Sequence, residues 1–338
     1  MKSRNIVFIS PCNAVLTEED VRELKPAEVM VKLERSTVSS GTERANLIGD
    51  VNVNPNAKSD KAVFPRRSGY SSSGVVVETG SGVTGVKKGD RVALYWSTHS
   101  QYCVINENNL VKLPDSVSFA EGALMHIAAF PMAAIRKCRL EIGESALVMG
   151  QGVLGQIAVK LLRAAGAVPV IAVDPVAEKR EEALKIGADY AFDPFEPDFA
   201  EKVKKAAGGG VAVAVEVTGN GKALDQCLDC MKKFGRIALL GCTRCSDFTI
   251  DYYRKVHAPG ITMIGAHTIA RPENESYPGM WTTRDDMTAE ANLCVFGRLS
   301  LESLVREVYS PEEAAKVYKR LAEEKAFPLV QFDWSRLV

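Results

Sequence analysis

The stretch Ala146-Leu-Val-Met-Gly-Gln-Gly-Val-Leu-Gly155 decides the fold of this chain. It begins as an apolar run typical of a strand, continues into Gly150-x-Gly152-x-x-Gly155, and leads into a segment with apolar residues at helical spacing. A dinucleotide pyrophosphate needs backbone N–H groups that approach it without an intervening Cβ, and the positive end of a helix dipole stabilises it. The pattern therefore predicts a strand, a tight nucleotide-binding turn and a helix.

A carboxylate follows this motif at a suitable distance. The next apolar run, Val168–Val173, ends at Asp174, which lies 24 residues after Gly150; a ribose-binding acid is expected about 20 residues after the glycines. Asp174 would accept from the adenosine 2′-hydroxyl and repel a 2′-phosphate, which favours NAD. Lys179 and Arg180 follow it and leave NADP possible. The alternative is an ordinary βαβ unit without a ligand.

Composition and charge narrow the class of partner. The chain has 338 residues, 46% hydrophobic and 25% charged, and 42 Lys and Arg balance 42 Asp and Glu. No net field favours nucleic acid or an anionic membrane. No apolar run reaches the length of about 20 residues that spans a bilayer, and the first ten residues turn polar too soon for a secretory signal. We expect a soluble, cytoplasmic protein that acts on a small molecule.

Two cysteine pairs superficially resemble a four-cysteine zinc site. Cys227-x-x-Cys230 and Cys242-x-x-Cys245 are separated by eleven residues, fewer than the usual separation of about 15 to 20. The first pair lies in an amphipathic helix pattern, residues 223–231. The spacing therefore favours reduced, structural cysteines.

The chain divides into three parts. Up to about residue 120 it shows no helical periodicity of any length, and its β-like runs between Gly, Pro, Asn and Asp predict an antiparallel, barrel-like β domain. A helix is predicted at 120–136, followed by six strands alternating with helices, which is typical of a doubly wound parallel sheet in an α/β fold. The six predicted strands are 146–149, 168–173, 190–192, 211–217, 236–240 and 262–264.

The last part leaves the strand–helix rhythm. Beyond Gly265 we predict a loop at 272–280, helices at 285–296 and 311–324, and a terminal strand at 327–334. Since this tail is too small to fold alone, we expect it to return to the first domain. We expect the active site in the cleft between the two domains.

Several stretches resemble the medium-chain dehydrogenase/reductase superfamily, the alcohol dehydrogenase-like proteins, over essentially the full length. The stretches that carry the resemblance are Pro26–Lys32, Ser40-Gly-Thr-Glu43, Gly69–Val76, Lys88–Val92, Gly150–Gly155 and Val215–Gly219. The resemblance implies a GroES-like β-barrel catalytic domain at 1–122, a Rossmann domain at 123–264 and a return segment at 265–338. It also implies a nicotinamide cofactor, hydride transfer, and a homodimer or homotetramer formed through the Rossmann domain.

By the same resemblance, the cofactor-binding residues come from the glycine motif and the ends of later strands. They are Gly150, Gly152, Val153, Leu154, Gly155, Asp174, Arg180, Thr218, Gly241, Cys242 and Ala266.

The departures from the family concern zinc. Ser40 stands where zinc-dependent members have a cysteine, Tyr70 and Ser71 replace a His-Glu pair, and His126 aligns with the third ligand. Neutral hydroxyls are poor zinc ligands beside thiolate, imidazole and carboxylate. We therefore predict no catalytic metal. These segments are similar to a branch that includes bacteriochlorophyllide dehydrogenase-like and sugar- or cyclitol-dehydrogenase-like members.

Without a metal, a ketone that accepts hydride needs a positioned proton donor. We hypothesise that Tyr70 or His126 is the general acid/base, that Ser40 supports them, and that Thr42 corresponds to the family's relay hydroxyl. Alternatively, His126 is a core histidine and Tyr70 fills the space of the missing metal. The predicted substrate pocket is formed by Tyr95, Trp96 and His99, where an indole could stack on a sugar ring or simply belong to the core.

Two other functions stay open. Zinc-free members of the superfamily include quinone or enone reductases, which add hydride to a C=C bond and need less acid/base equipment. A non-catalytic nucleotide-binding protein would keep the fold without the chemistry.

Overall fold

The computed structural model describes residues 1–53, 61–244, 246 and 248–337. The polar stretch Val51–Asp60, which the sequence predicts to be an exposed loop, lies largely outside the described residues. The chain forms two compact units, one of Met1–Ile127 with Met287–Val338 and the other of Ala128–Asp286. Residues 265–286, which we assigned to the return segment, thus group with the second unit. The predicted domain boundaries stay predictions.

The secondary structure elements are numbered in chain order. The strands are β1 (Lys2–Ser10), β2 (Asn13–Asp20), β3 (Glu28–Thr37), β4 (Arg66–Arg67), β5 (Ser71–Thr79), β6 (Arg91–Tyr95), β7 (Tyr102–Asn106), β8 (Leu110–Lys112), β9 (Ala146–Met149), β10 (Val170–Val173), β11 (Tyr190–Phe192), β12 (Val211–Glu216), β13 (Met231–Leu239), β14 (Thr262–Gly265), β15 (Glu307–Tyr309) and β16 (Val330–Asp333). The helices are α1 (Ser40–Ile48), α2 (Phe119–Lys137), α3 (Val153–Ala164), α4 (Ala177–Lys185), α5 (Phe199–Ala206), α6 (Gly221–Asp229), α7 (Thr283–Val295) and α8 (Ala314–Glu323).

The first unit is built from both ends of the chain. Its larger sheet has the order β15-β16-β3-β5-β6-β8, with β7 also paired to β3, and its smaller sheet has the order β2-β1-β4. The terminal strand β16 pairs antiparallel with β3, and Tyr318 of α8 packs edge-on against Phe8 of β1 with ring centroids 4.8 Å apart. Residues from Met287 onwards thus pack within the same unit as the N-terminal strands.

One sequence prediction in this unit is wrong. We predicted no helix before about residue 120, but α1 occupies Ser40–Ile48. Its buried residues Glu43, Ala45 and Leu47 follow one another at every second position, which does not give the 3.6-residue period by which a helix is recognised. The helix ends at Gly49, whose φ of 79° is the left-handed conformation that glycine adopts readily.

The second unit contains the predicted doubly wound sheet. Its six strands are parallel and have the order β11-β10-β9-β12-β13-β14. All four residues of β9 are buried, as expected of a strand covered by helices on both faces. The strand order reverses between β9 and β12, and α/β sheets bind nucleotides at such a switch point, outside the carboxyl ends of the strands.

Among residues 1–53, 61–244, 246 and 248–337, no helix combines the length and the apolar character that crossing a membrane requires.

Candidate functional site

The glycine motif forms a tight turn between β9 and α3. Gly150 has φ of 99°, a conformation that side chains rarely permit. A Cβ on Gly155 would lie 1.9 Å from the Gly150 carbonyl oxygen, so this glycine lets the helix pack directly on the turn. A Cβ on Gly152 would meet nothing within 4 Å. The turn is therefore closed towards the protein and open at Gly152, as a pyrophosphate-binding loop requires. Val153 and Leu154 begin α3 beside it.

Asp174 lies at the end of β10 and is bonded to this turn. Its Oδ2 accepts from the Gln151 backbone N–H at 2.8 Å, and its Oδ1 accepts from the Val176 N–H at 2.9 Å. Lys179 Nζ lies 3.9 Å from Oδ2. Arg180 Nη1 donates to the Asp174 carbonyl at 2.8 Å and pairs with Asp193 at 3.1 Å. The guanidinium thus holds the end of the strand, while the Asp174 carboxylate is fixed beside the glycine turn.

The turn after β12 carries Thr218, another predicted cofactor residue. Buried Glu216 organises it: Oε1 accepts from the Thr218 N–H at 2.7 Å and from the Thr218 hydroxyl, and Oε2 accepts from the Gly219 N–H at 3.2 Å. Burial raises the pKa of Glu216, although these donors favour its charged form. Sequence reasoning missed this residue, although it lies in the quoted stretch Val215–Gly219.

The turn after β13 lies against the turn after β12. A Cβ on Gly241 would lie 2.1 Å from the Gly219 nitrogen, and one on Gly219 would lie 2.7 Å from the Cys242 carbonyl. Ala266 follows β14 and is buried, whereas Cys242 is exposed. Since the strands are parallel, the motif and these turns lie at one edge of the sheet. The residues present fit a dinucleotide, because the glycines pack the turns closely against one another while Gly152 leaves the motif open for a ligand.

In the first unit, Tyr70 and His126 lie in contact. Their ring centroids are 5.4 Å apart, and the Trp96 ring is 4.6 Å from His126 and 6.0 Å from Tyr70. The Tyr95 ring is 5.6 Å from His126. Trp96 is 47% exposed and has φ of 58°, a conformation that is unusual for a bulky residue and concentrates at functional sites.

His126 is fully buried in α2 and bonds to the backbone of Tyr70. Its Nδ1 lies 2.7 Å from the Tyr70 carbonyl oxygen and 3.4 Å from the Trp96 backbone nitrogen. One nitrogen cannot donate to the first and accept from the second. The shorter contact places the proton on Nδ1, which donates to the Tyr70 carbonyl.

The Tyr70 hydroxyl donates to Ser39 Oγ. Ser39 is the N-cap residue of α1, and Ser40 and Thr42 lie in the first turn of that helix. The structure thus gives the Tyr70 partner role to Ser39, one residue before the serine that we predicted. Sequence reasoning missed Ser39 because the alignment drew attention to Ser40 alone.

His99 lies away from the surface. It is fully buried, its Nε2 is 3.1 Å from Glu43 Oε2, and its Nδ1 is 2.7 Å from Ser36 Oγ. We predicted it as a substrate-pocket residue; its position is that of an internal hydrogen-bonding group.

The side chains at the family's zinc positions do not fit a zinc ion. They comprise one imidazole, whose Nδ1 is bonded to a carbonyl, together with a phenol and serine hydroxyls. Across the described part of the chain, no group of three or more His, Cys, Asp or Glu side chains is placed to hold a metal.

The first of the two cysteine pairs lies in the core of the second unit. Cys227 and Cys230 are buried, and burial raises the pKa of Cys230 to about 12 and that of Cys227 well above its usual value. Cys245 lies outside the described residues.

Known proteins resemble this chain over both units. Residues 25–139 match the family described as alcohol dehydrogenase GroES-like domain, and residues 153–283 match the family described as zinc-binding dehydrogenase. L-threonine 3-dehydrogenase of Pyrococcus horikoshii is 30% identical over 288 residues, which cover 75% of this chain and 79% of the relative. D-guloside 3-dehydrogenase of Escherichia coli (strain K12) is 24% identical over 339 residues, covering 95% and 96%.

A solved structure shares the fold. 2R,3R-butanediol dehydrogenase from Bacillus subtilis aligns with a TM-score of 0.80 at 23% identity, covering 98% of this chain and 99% of the other. The predicted fold class is confirmed. The chain therefore belongs to the zinc-type, alcohol dehydrogenase-like superfamily of medium-chain dehydrogenases, and it is an NAD(P)-dependent enzyme of the alcohol/ketone oxidoreductase type.

Proposed function

We propose that this enzyme interconverts a secondary alcohol and a ketone on a polyol, sugar or cyclitol, without catalytic zinc. The observation that carries the proposal is the contact between Tyr70 and His126, with the Tyr70 hydroxyl bonded to Ser39, where other family members hold zinc. The named substrates of the guloside, threonine and butanediol relatives share a secondary hydroxyl, which supports this substrate class.

The first unit supplies the acid/base group. Tyr70 is partly exposed and its hydroxyl is held by Ser39, so it is our candidate to exchange the proton of the substrate oxygen. His126 is fully buried and donates to the Tyr70 carbonyl, so it holds Tyr70 in place. Thr42 remains our candidate for the relay hydroxyl, and Ser40 for a supporting one.

The second unit holds the cofactor. We assign the pyrophosphate to the turn at Gly150–Gly155 and the adenosine ribose to Asp174. A nicotinamide cofactor held there would supply the chemistry of hydride transfer to or from the substrate carbon.

The exposed indole of Trp96 is our candidate for substrate selection. It contacts the Tyr70–His126 pair on one side and can offer its remaining surface to the apolar face of a sugar or cyclitol ring. Tyr95 supports the cluster, because its hydroxyl bonds the Asn108 carbonyl.

A substrate panel tests the proposal. Purified enzyme is assayed for NAD(P)-dependent oxidation of polyols, cyclitols and sugars, and for NAD(P)H-dependent reduction of ketones and enones. We expect turnover on hydroxylated rings and their ketones. Activity confined to enones would replace the proposal with a C=C reductase, and binding of NADH without turnover on any class would count against both.

We expect the purified protein to carry far less than one zinc per chain and to keep its turnover after dialysis against a chelator. Serine and tyrosine hydroxyls replace thiolate and imidazole ligands at the family positions, and neutral hydroxyls bind zinc weakly. Elemental analysis and activity before and after dialysis check this. One tightly bound equivalent of metal, lost together with activity, would contradict it.

We expect NADH to bind more tightly than NADPH, because a 2′-phosphate would approach the Asp174 carboxylate. Asp174→Asn keeps the shape of the side chain but removes its charge. It should lower the ratio of NADH affinity to NADPH affinity by roughly tenfold, equivalent to about 1.4 kcal/mol. Lys179→Met is the matched control. It removes the cation 3.9 Å from Asp174 and should raise the ratio of NADH affinity to NADPH affinity. Fluorescence titration of both cofactors measures the effect; tighter NADPH binding by the unaltered enzyme would reverse the assignment.

The resemblance also supports a homo-oligomer formed through the second unit, and we propose a cytoplasmic location as well. β14 lies at the end of the six-stranded sheet, and an edge strand can pair with that of a second copy. Analytical ultracentrifugation tests the oligomer.

A further inference from the structure

A buried hydrogen-bonded network lies in the first unit and has no part in the scheme above. Its centre is the Glu43 carboxylate of α1, which is 1% exposed. Glu43 Oε2 accepts from the Tyr318 hydroxyl at 2.5 Å and lies 3.1 Å from His99 Nε2. Burying a carboxylate and an imidazole is costly unless both are hydrogen-bonded, and in this network both are.

One set of hydrogen positions satisfies the whole network. Trp334 Nε1 donates to Ser36 Oγ at 2.8 Å. The Ser36 hydroxyl can then donate to His99 Nδ1 at 2.7 Å, which leaves the proton of a neutral imidazole on Nε2, directed at Glu43. With Tyr318 as the second donor, all hydrogen bonds run towards the Glu43 carboxylate. The carboxylate is thus held in one orientation by groups from three parts of the chain.

The other oxygen of Glu43 reaches the partner of Tyr70. Glu43 Oε1 accepts from the Ser39 backbone N–H at 2.8 Å. The side-chain oxygen of an N-cap serine usually accepts a hydrogen bond from an N–H of the first helical turn, but Ser39 makes no such capping bond. Its Oγ instead accepts from the Tyr70 hydroxyl. Glu43 therefore holds Ser39 in place, and Ser39 in turn holds the Tyr70 hydroxyl.

The network also holds the backbone that precedes Tyr70. The backbone N–H of His99 donates to the Ser68 carbonyl at 2.9 Å. A Cβ on Gly69 would lie 2.7 Å from the His99 nitrogen and 2.8 Å from its ring. The His99 ring thus packs against Gly69, and with His126 on the Tyr70 carbonyl it restricts where the phenol points.

We propose that Glu43 and His99 are positioning residues for Tyr70, and that Tyr318 brings the C-terminal helix α8 into this role. Glu43 fixes the position of the Tyr70 hydroxyl through Ser39. His99 fixes the backbone that precedes Tyr70 through Ser68 and Gly69. The inference rests on the proposed function, because it assigns the network to the acid/base role of Tyr70. A displacement of about 1 Å in a reacting group can cost about 100-fold in rate.

A double-mutant cycle tests this. Glu43→Gln and Tyr318→Phe are each made alone and together with Tyr70→Phe, and kcat, the NADH dissociation constant and the melting temperature are measured with a ketone or alcohol substrate from the panel. We expect Glu43→Gln to lower kcat by roughly 10- to 100-fold in the native background and by less than about twofold beside Tyr70→Phe. NADH affinity should not change, because the cofactor residues lie in the second unit.

A matched control separates positioning from loss of stability. Asp286→Asn removes another buried carboxylate, which pairs with Arg136 at 2.8 Å in the second unit. It should lower the melting temperature but change kcat by the same factor with and without Tyr70→Phe. Tyr318→Phe deletes one oxygen only, so it provides the same cycle if Glu43→Gln does not fold.

The outcomes distinguish the two ideas. If Tyr70→Phe lowers kcat but Glu43→Gln and Tyr318→Phe act equally in both backgrounds, the positioning role is overturned and the proposed function stands. If Tyr70→Phe alone leaves kcat unchanged, the acid/base role of Tyr70 fails and the positioning role fails with it.

Discussion

Tyr70→Phe is expected to lower kcat for a carbonyl substrate by about 100- to 10,000-fold, the usual contribution of a positioned acid or base. In the proposed scheme no metal meets the charge that develops on the substrate oxygen, so the phenol proton has to do so. The substitution deletes one oxygen and with it the hydrogen bond to Ser39. Steady-state kinetics measures the loss, and an NADH titration should show unchanged affinity.

Variants of the neighbouring residues define each role. His126→Ala should lower kcat less than Tyr70→Phe, and His126→Asn, which can still donate to the Tyr70 carbonyl, should recover part of the loss. Ser40→Ala should lower kcat only slightly if that hydroxyl only supports the others. Thr42→Val should lower kcat while leaving the cofactor affinity unchanged. Near-native turnover in both Tyr70→Phe and His126→Ala would replace the scheme with the enone-reductase reading.

The second unit could be predicted from its sequence because its signals are local. The predicted strands 146–149 and 190–192 coincide with β9 and β11. A continuous apolar run followed by glycines reports both burial on two faces and a tight turn. Only the strand ends shifted, for example at Val168–Pro169, which precede β10.

The first unit was harder because its signals are long-range. Tyr318 and Glu43 are 275 positions apart, and Trp334 and Ser36 are 298 apart. No periodicity within α1 reveals that its buried glutamate has partners in the return segment. Alignment with the family predicted Tyr70 and His126 as site residues. That Tyr70 contacts the Ser39 hydroxyl depends instead on where α1 begins, because Ser39 is its N-cap residue.

The cofactor turns lie between these cases. The motif glycines carry a known spacing, whereas Gly219 and Gly241 matter because two turns approach each other, with a Cβ on Gly241 2.1 Å from the Gly219 nitrogen. A close approach between separate strands leaves no spacing rule in the sequence.

Gly155→Ala is expected to lower both the stability of the chain and its affinity for NADH. The added Cβ would lie 1.9 Å from the Gly150 carbonyl oxygen, so α3 has to move away from the turn. Overpacking of this kind costs about 1–3 kcal/mol. Thermal denaturation should show a lower melting temperature, and because the displaced helix carries the N–H groups and dipole that bind pyrophosphate, the NADH dissociation constant should rise by at least about tenfold.

Gly152→Ala provides the matched control, since a Cβ there meets nothing within 4 Å of the chain and the backbone conformation, φ of −74° and ψ of −169°, suits an alanine. It should leave the melting temperature of the free enzyme unchanged and still weaken NADH, because the methyl group points into the space that we assign to the pyrophosphate. The two variants thus separate the closed side of the turn from its open side. If Gly152→Ala binds NADH as tightly as the unaltered enzyme, the pyrophosphate does not lie against Gly152, and the cofactor placement has to be revised even though the fold stands.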